Sequence, residues 1–313
     1  MKYAAYAIGL WMLVGIGLET HALQYAYDHL SQAASVFFVD SSTPKMLLSK
    51  YASAKRGQDA FKILIVPGHD SQASGTSYGG ISEADLTLAE AKLLAAQFAQ
   101  DKNIEVTVAR QDGWYIPELA QYFTDNRADI LAYRASQMAQ MQMYTATGQI
   151  QSDVIVDHNN APAEVALRLY GINKWANEQD YDLVLHVHFN DIPRANRAVP
   201  GPYTGFAIYV PEHQFSNAKG SMAVGQAIKA RLQETNHVST HPKESTSPTE
   251  DQELIAIGSN NSLDASSVLI EYAYIYEPVV QNSYLRPGLL QASAEETYQG
   301  VEDFLNKRQV AVN

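Results

Sequence analysis

Five side chains in this sequence have the types and positions that chemistry would use. His69 follows the apolar run KILIV (62–66) across a Pro67-Gly68 turn, in VPGHD. Read for structure alone, a histidine there is a hydrogen-bonded turn residue; read for function, its ring stands at the end of a strand. Glu83 lies beyond the loop SQASGTSYGGIS, at the start of an apolar-periodic segment. There it is either a carboxylate favoured by the helix macrodipole or a ligand that the loop folds back toward His69. His186 and His188 sit in YDLVLHVHF (181–189), where period-two spacing turns both rings to one face. His188 is nearer the strand's carboxyl end, and His186 reads as a deeper, hydrogen-bonded residue. Glu271 interrupts the apolar run SVLIEYAYI (267–275). A carboxylate there is costly to desolvate unless paired or metal-associated. It is either an exposed residue of an edge strand or a carboxyl with a raised pKa, as a general base needs. Two imidazoles and one carboxylate around an open position are a common way to build a catalytic zinc site. A separate carboxylate beside the metal's water completes a hydrolytic apparatus.

The sequence has 313 residues and no cysteine, so disulfides, thiolate nucleophiles and every Cys-based metal site are excluded. Any metal must be held by His, Asp and Glu. Lys and Arg number 22 against 34 Asp and Glu, a net charge of −12. That balance argues against nucleic acid, whose phosphates demand basic side chains. With 46% hydrophobic and 18% charged residues, the composition is that of a globular protein.

The elements that must position these residues alternate. Strands are expected at 62–66, 104–110 (IEVTVAR), 181–189, 205–210 (GFAIYV) and 267–275. Helices are expected after Ser82-Glu83-Ala84-Asp85, a capping pattern, and over 222–234 (MAVGQAIKARLQE). The alternation implies an α/β fold: a twisted, mainly parallel sheet with helices on both faces, in a single catalytic domain. Ligands bind such sheets at the carboxyl ends of the strands. Ahead of the domain, residues 3–18 form an uncharged apolar stretch, shorter than the roughly 20 residues that span a bilayer. Thr20 and Ala22 fit a signal-peptide cleavage after Ala22. Residues 1–22 are therefore expected to be a signal peptide or an N-terminal membrane anchor, and 23–60 a spacer with one or two short helices. The catalytic domain is expected over 61–307.

The stretch IVPGHDSQASGTSYGGISEADLTLAEAKLLAAQF resembles the opening of the zinc-dependent N-acetylmuramoyl-L-alanine amidases. IEVTVARQD resembles that family's second strand, and WANEQDYDLVLHVHFN its Ser-x-His-x-Asn segment. GFAIYV and VLIEYAYI resemble its later strands, so the resemblance runs in order from about 62 to 305. It implies that His69, Glu83 and His188 bind Zn²⁺ and that Glu271 is the catalytic acid/base. It further implies that the activity is hydrolysis of the amide between N-acetylmuramic acid and L-alanine in peptidoglycan. On that basis the protein is exported, to the periplasm, the cell envelope or the medium, and its partner is peptidoglycan rather than nucleic acid. Membrane association of the N-terminus and a protein activator are both compatible with it. The other readings are a catalytically silent wall-binding module of the same fold, or a zinc hydrolase of another peptide or acyl amide.

The sequence departs from the family in three places. His186 stands where the family has serine. Tyr272-Ala273-Tyr274 replaces the usual Gly-Phe and Asn after the last glutamate. An insertion of about 111–162 separates the second and third strands; it contains Met138, Met141 and Met143, expected as packing residues, and Asp157 and His158, expected in loop hydrogen bonds. This insertion is expected to form a lid or a wall of the substrate groove.

Overall fold

The structure is a computed structural model that describes residues 39–152 and 161–307. The chain divides into two units, Met1–Val39 and Asp40–Asn313. The expected leader, the first part of the spacer, Asp157 and His158 lie outside the described residues. Among the described residues no helix is long and apolar enough to cross a membrane.

The second unit begins with a helix, α1 (Pro44–Lys55), capped by the Thr43 hydroxyl and opened by Pro44 at a position where no amide hydrogen is needed. It falls inside the expected spacer, yet Leu47, Tyr51 and Ala54 are buried in the main core beside Phe61. These residues are part of the folded unit.

Six strands form the central sheet: β1 (Phe61–Pro67), β2 (Ile104–Val108), β3 (Leu183–Asn190), β4 (Ala207–Pro211), β5 (Thr249–Asp251) and β6 (Ser266–Tyr274). Their order is β2-β1-β3-β6-β4-β5. The first four run parallel. β4 is antiparallel to β6, and β5 runs parallel to β4. The sheet is thus mainly parallel, as the alternating pattern predicts, with a reversed pair at one edge.

Period-two alternation sends side chains to two apolar faces. Ile63, Ile65, Leu185, Val187, Val268 and Ile270 point to one face. There they meet α1, α2 (Glu83–Phe98), α6 (Ala218–Thr235) and α8 (Arg286–Leu305). In α8 the buried residues Leu290, Ala294, Thr297, Val301 and Leu305 recur at helix spacing. Leu64, Val66 and Val184 point to the other face, against α3 (Pro117–Asp125), α4 (Arg127–Ala146) and α5 (Ala163–Glu178). A short helix, α7 (Pro278–Gln281), follows β6.

The expected insertion folds as a small hairpin (Arg110–Gln111 with Trp114–Tyr115) followed by α3 and α4. Its Leu119, Phe123 and Ile130 enter the second core, so this stretch forms part of the hydrophobic interior on that face. Met141 is buried and Met138 and Met143 partly so, consistent with packing.

Candidate metal centre and active site

The carboxyl ends of β1, β3 and β6 and the first turn of α2 bring four of the five singled-out residues together. β1 ends at Pro67, and the chain turns through Gly68 into His69, which takes a left-handed backbone (φ 66°). That conformation is unusual for a residue with a side chain and is associated with functional turns. Asp70 fixes the turn from below. Its Oδ1 accepts from the Gln72 and Ala73 amides at 2.8 and 2.9 Å, and its Oδ2 pairs with Arg168 Nε of α5 at 3.3 Å.

Glu83 stands at the start of α2, behind an N-cap in which Asp85 N donates to Ser82 Oγ at 3.3 Å. Buried Arg110 locks this helix start to the β1 turn, donating to the Ala84 carbonyl at 2.6 Å and to Thr87 Oγ1 at 3.1 Å. Thr87 Oγ1 in turn donates to the Gly68 carbonyl at 2.7 Å. The Glu83 carboxylate is only 6% exposed and lies between two imidazoles. Its Oε2 is 3.0 Å from His69 Nε2, and its Oε1 is 3.0 Å from His188 Nδ1. Burial alone would raise its pKa, but the two imidazoles hold it well below the usual carboxylate range. Burial would lower the His69 pKa, and the hydrogen bond and charge of Glu83 raise it instead.

Two glycines make this convergence sterically possible. A methyl group on Gly68 would lie 2.4 Å from the His188 ring. One on Gly75 would lie 2.5 Å from both Glu83 Oε2 and the His69 ring, and Gly75 also needs its left-handed φ of 71°. One ligand atom from each of His69, Glu83 and His188 lies within 4.8 Å of the others. Two nitrogens and one carboxylate oxygen on a common centre, with no space for added bulk behind them, fit a divalent ion of the zinc type.

β6 lies between β3 and β4, so Glu271 is on an interior strand; the edge-strand reading does not describe it. It pairs in register with His188 on one side and Ala207 on the other. Alternation places Glu271 on the face of Leu269, opposite the core side of Ile270. Its Oε2 is buried and, among the described residues, has no hydrogen-bond partner. Burial pushes its pKa well above the ordinary value, and the nearby charges of Glu83 and Glu244 add to the rise. Such a carboxyl is suited to holding and moving a proton.

His186 shares the face of His188 but sits deeper, at 1% exposure. A hydrogen bond to the Ala256 backbone opposes its pKa depression, but burial and the neighbouring His188 push it down to about 3. It is therefore a neutral imidazole, outside the His69–Glu83–His188 group. It lines a cavity of about 430 Å³ beneath α5, together with His69, Asp70, Tyr115, Arg168 and His188. Tyr115 and Ala161 are the contribution of the insertion to this wall; no residue of α4 lines the cavity.

Sequence reasoning missed the supports. Glu244, in the loop after α6, accepts from Asn190 Nδ2 (2.9 Å), Tyr209 OH (2.8 Å), Tyr274 OH (2.7 Å) and Ser239 Oγ. Burial would raise its pKa, but these four donors lower it, so it faces Glu271 as a fixed negative charge. Asp191, after β3, takes the Thr76 hydroxyl and pairs with Arg194 at 2.8 Å, tying the β3 end to the loop between His69 and Glu83. Glu244 lies in a polar loop with no local signal. Asp70 and Asp191 could have been suspected because each follows directly on a strand-end motif.

The family model described as N-acetylmuramoyl-L-alanine amidase matches residues 63–132. No curated protein sequence matches the chain. Among solved structures, an N-acetylmuramoyl-L-alanine amidase from Clostridium difficile 630 is similar at 18% identity and TM-score 0.50. That likeness covers 80% of this chain and 100% of the other. Ami1 of Mycobacterium smegmatis, an N-acetylmuramyl-L-alanine amidase, is similar at 14% identity and TM-score 0.51, with 80% and 99% covered. Ami1 of Mycobacterium abscessus gives 14% identity and TM-score 0.50, with 78% and 98% covered. At these identities the likeness is one of fold. The chain is thus similar to the N-acetylmuramoyl-L-alanine amidases in sequence over 63–132 and in fold.

Proposed function

We propose that this protein is a zinc-dependent amidase that hydrolyses the amide between the lactyl group of N-acetylmuramic acid and the L-alanine of the stem peptide in peptidoglycan, outside the cytoplasmic membrane. The observation that carries the reading is the convergence of His69, Glu83 and His188 on one point, with Glu271 beside His188 on the same strand-end face. His69, Glu83 and His188 hold the ion. When bound, it supplies Lewis acidity to the scissile carbonyl and to water, so that no serine or cysteine nucleophile is needed.

The remaining work falls to the chain's own groups. Glu271, as a carboxylate, takes the proton of the attacking water and delivers one to the departing alanine amine. Its raised proton affinity suits the second transfer, and Glu244 helps to sustain that affinity through its charge. Arg110 and Asp70 keep the Glu83 and His69 backbones in place, a positioning role. The cavity under α5 receives the part of the substrate next to the scissile bond.

The test is mass-spectrometric product analysis on purified muropeptides. Release of stem peptides with a free L-alanine amino terminus, abolished by a chelator, is the expected result. Cleavage within the stem peptide would replace the substrate assignment, and intact muropeptides bound without turnover would make the protein a binding module.

A further inference from the structure

A second group of ligand-type side chains stands apart from the catalytic cluster. Glu212 and His213 follow β4 directly, and Glu250 lies within β5, with Val210 paired to Glu250 in register. Because β4 runs antiparallel to β6 with Ala207 opposite Glu271, its last residues lead away from the catalytic edge of the sheet. One ligand atom from each of Glu212, His213 and Glu250 lies within 4.8 Å of the others.

The one imidazole proton on Nδ1 does not satisfy this group. His213 Nδ1 faces two carboxylates: Glu250 Oε2 at 2.8 Å and Glu212 Oε1 in close contact. A ring nitrogen carries at most one hydrogen, and the hydrogen bond is made to Glu250. Glu212 Oε1, on a side chain only 7% exposed, is left without a hydrogen bond among the described residues. A buried acceptor in that position is destabilising. The carboxylate is also held in place, because its Oε2 accepts from the Gln214 backbone at 3.2 Å and from Gln214 Nε2 at 3.1 Å. In the other imidazole tautomer, with both carboxylates ionised, all three facing atoms carry lone pairs, and the repulsion is worse. A cation that accepts one lone pair from each resolves both arrangements.

We propose that Glu212, His213 and Glu250 form a second metal site, for a divalent transition ion of the zinc class. One imidazole with two carboxylates suits zinc or manganese better than calcium, which takes six to eight oxygens. The ion joins the end of β4 to the edge strand β5. The flanking residues grip Gln151 of the insertion: Gln214 Nε2 and Gln252 Nε2 both donate to the Gln151 carbonyl at 3.0 Å, and Gln151 N donates to Gln214 Oε1 at 3.0 Å. Its role is to hold the insertion against the sheet, away from the reaction.

The experiment is equilibrium dialysis of the full chain against buffered free Zn²⁺, followed by metal counting by mass spectrometry. Wild type is compared with His213→Ala/Glu250→Gln, whose side chains are both solvent-accessible, and with His188→Ala. The double variant is expected to hold one equivalent fewer than wild type. In the His188→Ala background, Zn²⁺ is expected to raise the melting midpoint, and adding the double substitution is expected to remove that rise. A double variant that retains every equivalent of wild type overturns the proposal and leaves a surface ion triad in its place. A single wild-type equivalent lost only in His188→Ala does the same while leaving the amidase reading intact.

Discussion

At the residue scale, Glu271 and Glu90 each hold buried carboxyl oxygen without a hydrogen-bond partner among the described residues, and they call for opposite interpretations. Glu271 lies beside ligand-type groups, and the proposed function gives it the proton transfer. Glu271→Gln keeps the shape and removes that transfer, so kcat should fall by about 10²–10⁴-fold with zinc content unchanged. Kinetics on a purified muropeptide check this; near-wild-type kcat would remove the role. Glu90, in α2, has no partner at either oxygen among the described residues, and burial raises its pKa well above 4.5. The folded state therefore keeps a proton that the unfolded chain releases. The resulting stability is fully present below about pH 4.5 and is lost as pH rises through the folded pKa. Glu90→Gln carries its own cost for a buried amide at every pH, and that cost cancels in a comparison across pH. Relative to wild type, the variant should gain about 1.4 kcal/mol at pH 7 over pH 4 for each unit of the elevation in that range. Urea unfolding at the two pH values measures the gap; a pH-independent gap would contradict the assignment. His69, Glu83, His188 and Glu271 were legible in the sequence because each interrupts an apolar run or borders a Pro-Gly turn or helix cap. Glu244 and Arg168 were not, since contacts between distant segments leave no periodic trace.

At the element scale, the apolar strands and the capped helix α2 were readable from composition and spacing alone. β5 was not: Thr-Glu-Asp is a short polar edge strand without an alternating apolar face. The reversal of β4 escaped for a related reason, because a short buried strand carries no mark of its direction. α1 was expected as a helix but not as part of the core, since only Leu47, Tyr51 and Ala54 face inward. Its attachment can be measured. Leu47→Ala should cost about 2–5 kcal/mol in urea unfolding while turnover per folded molecule stays the same. A loss below about 0.5 kcal/mol would return 44–55 to the status of a spacer.

For the whole molecule, two apolar faces on one sheet fix the strand ends rigidly, and the site is assembled on those ends and one helix start. The absence of cysteine and the −12 charge are both compatible with a His/Glu-liganded hydrolase and with no nucleic-acid partner. The 111–162 stretch adds two helices to one face and, through Tyr115 and Ala161, part of a cavity wall. The central claim is that the His69–Glu83–His188 cluster holds a zinc ion required for amide hydrolysis. It is tested most directly by the rate of L-alanine amine release from a purified muropeptide, measured on chelated protein before and after zinc is restored. The rate should fall below detection on chelation and return with zinc in wild type, but not in His188→Ala. Full activity in the chelated protein, or equal recovery in that variant, would contradict the account.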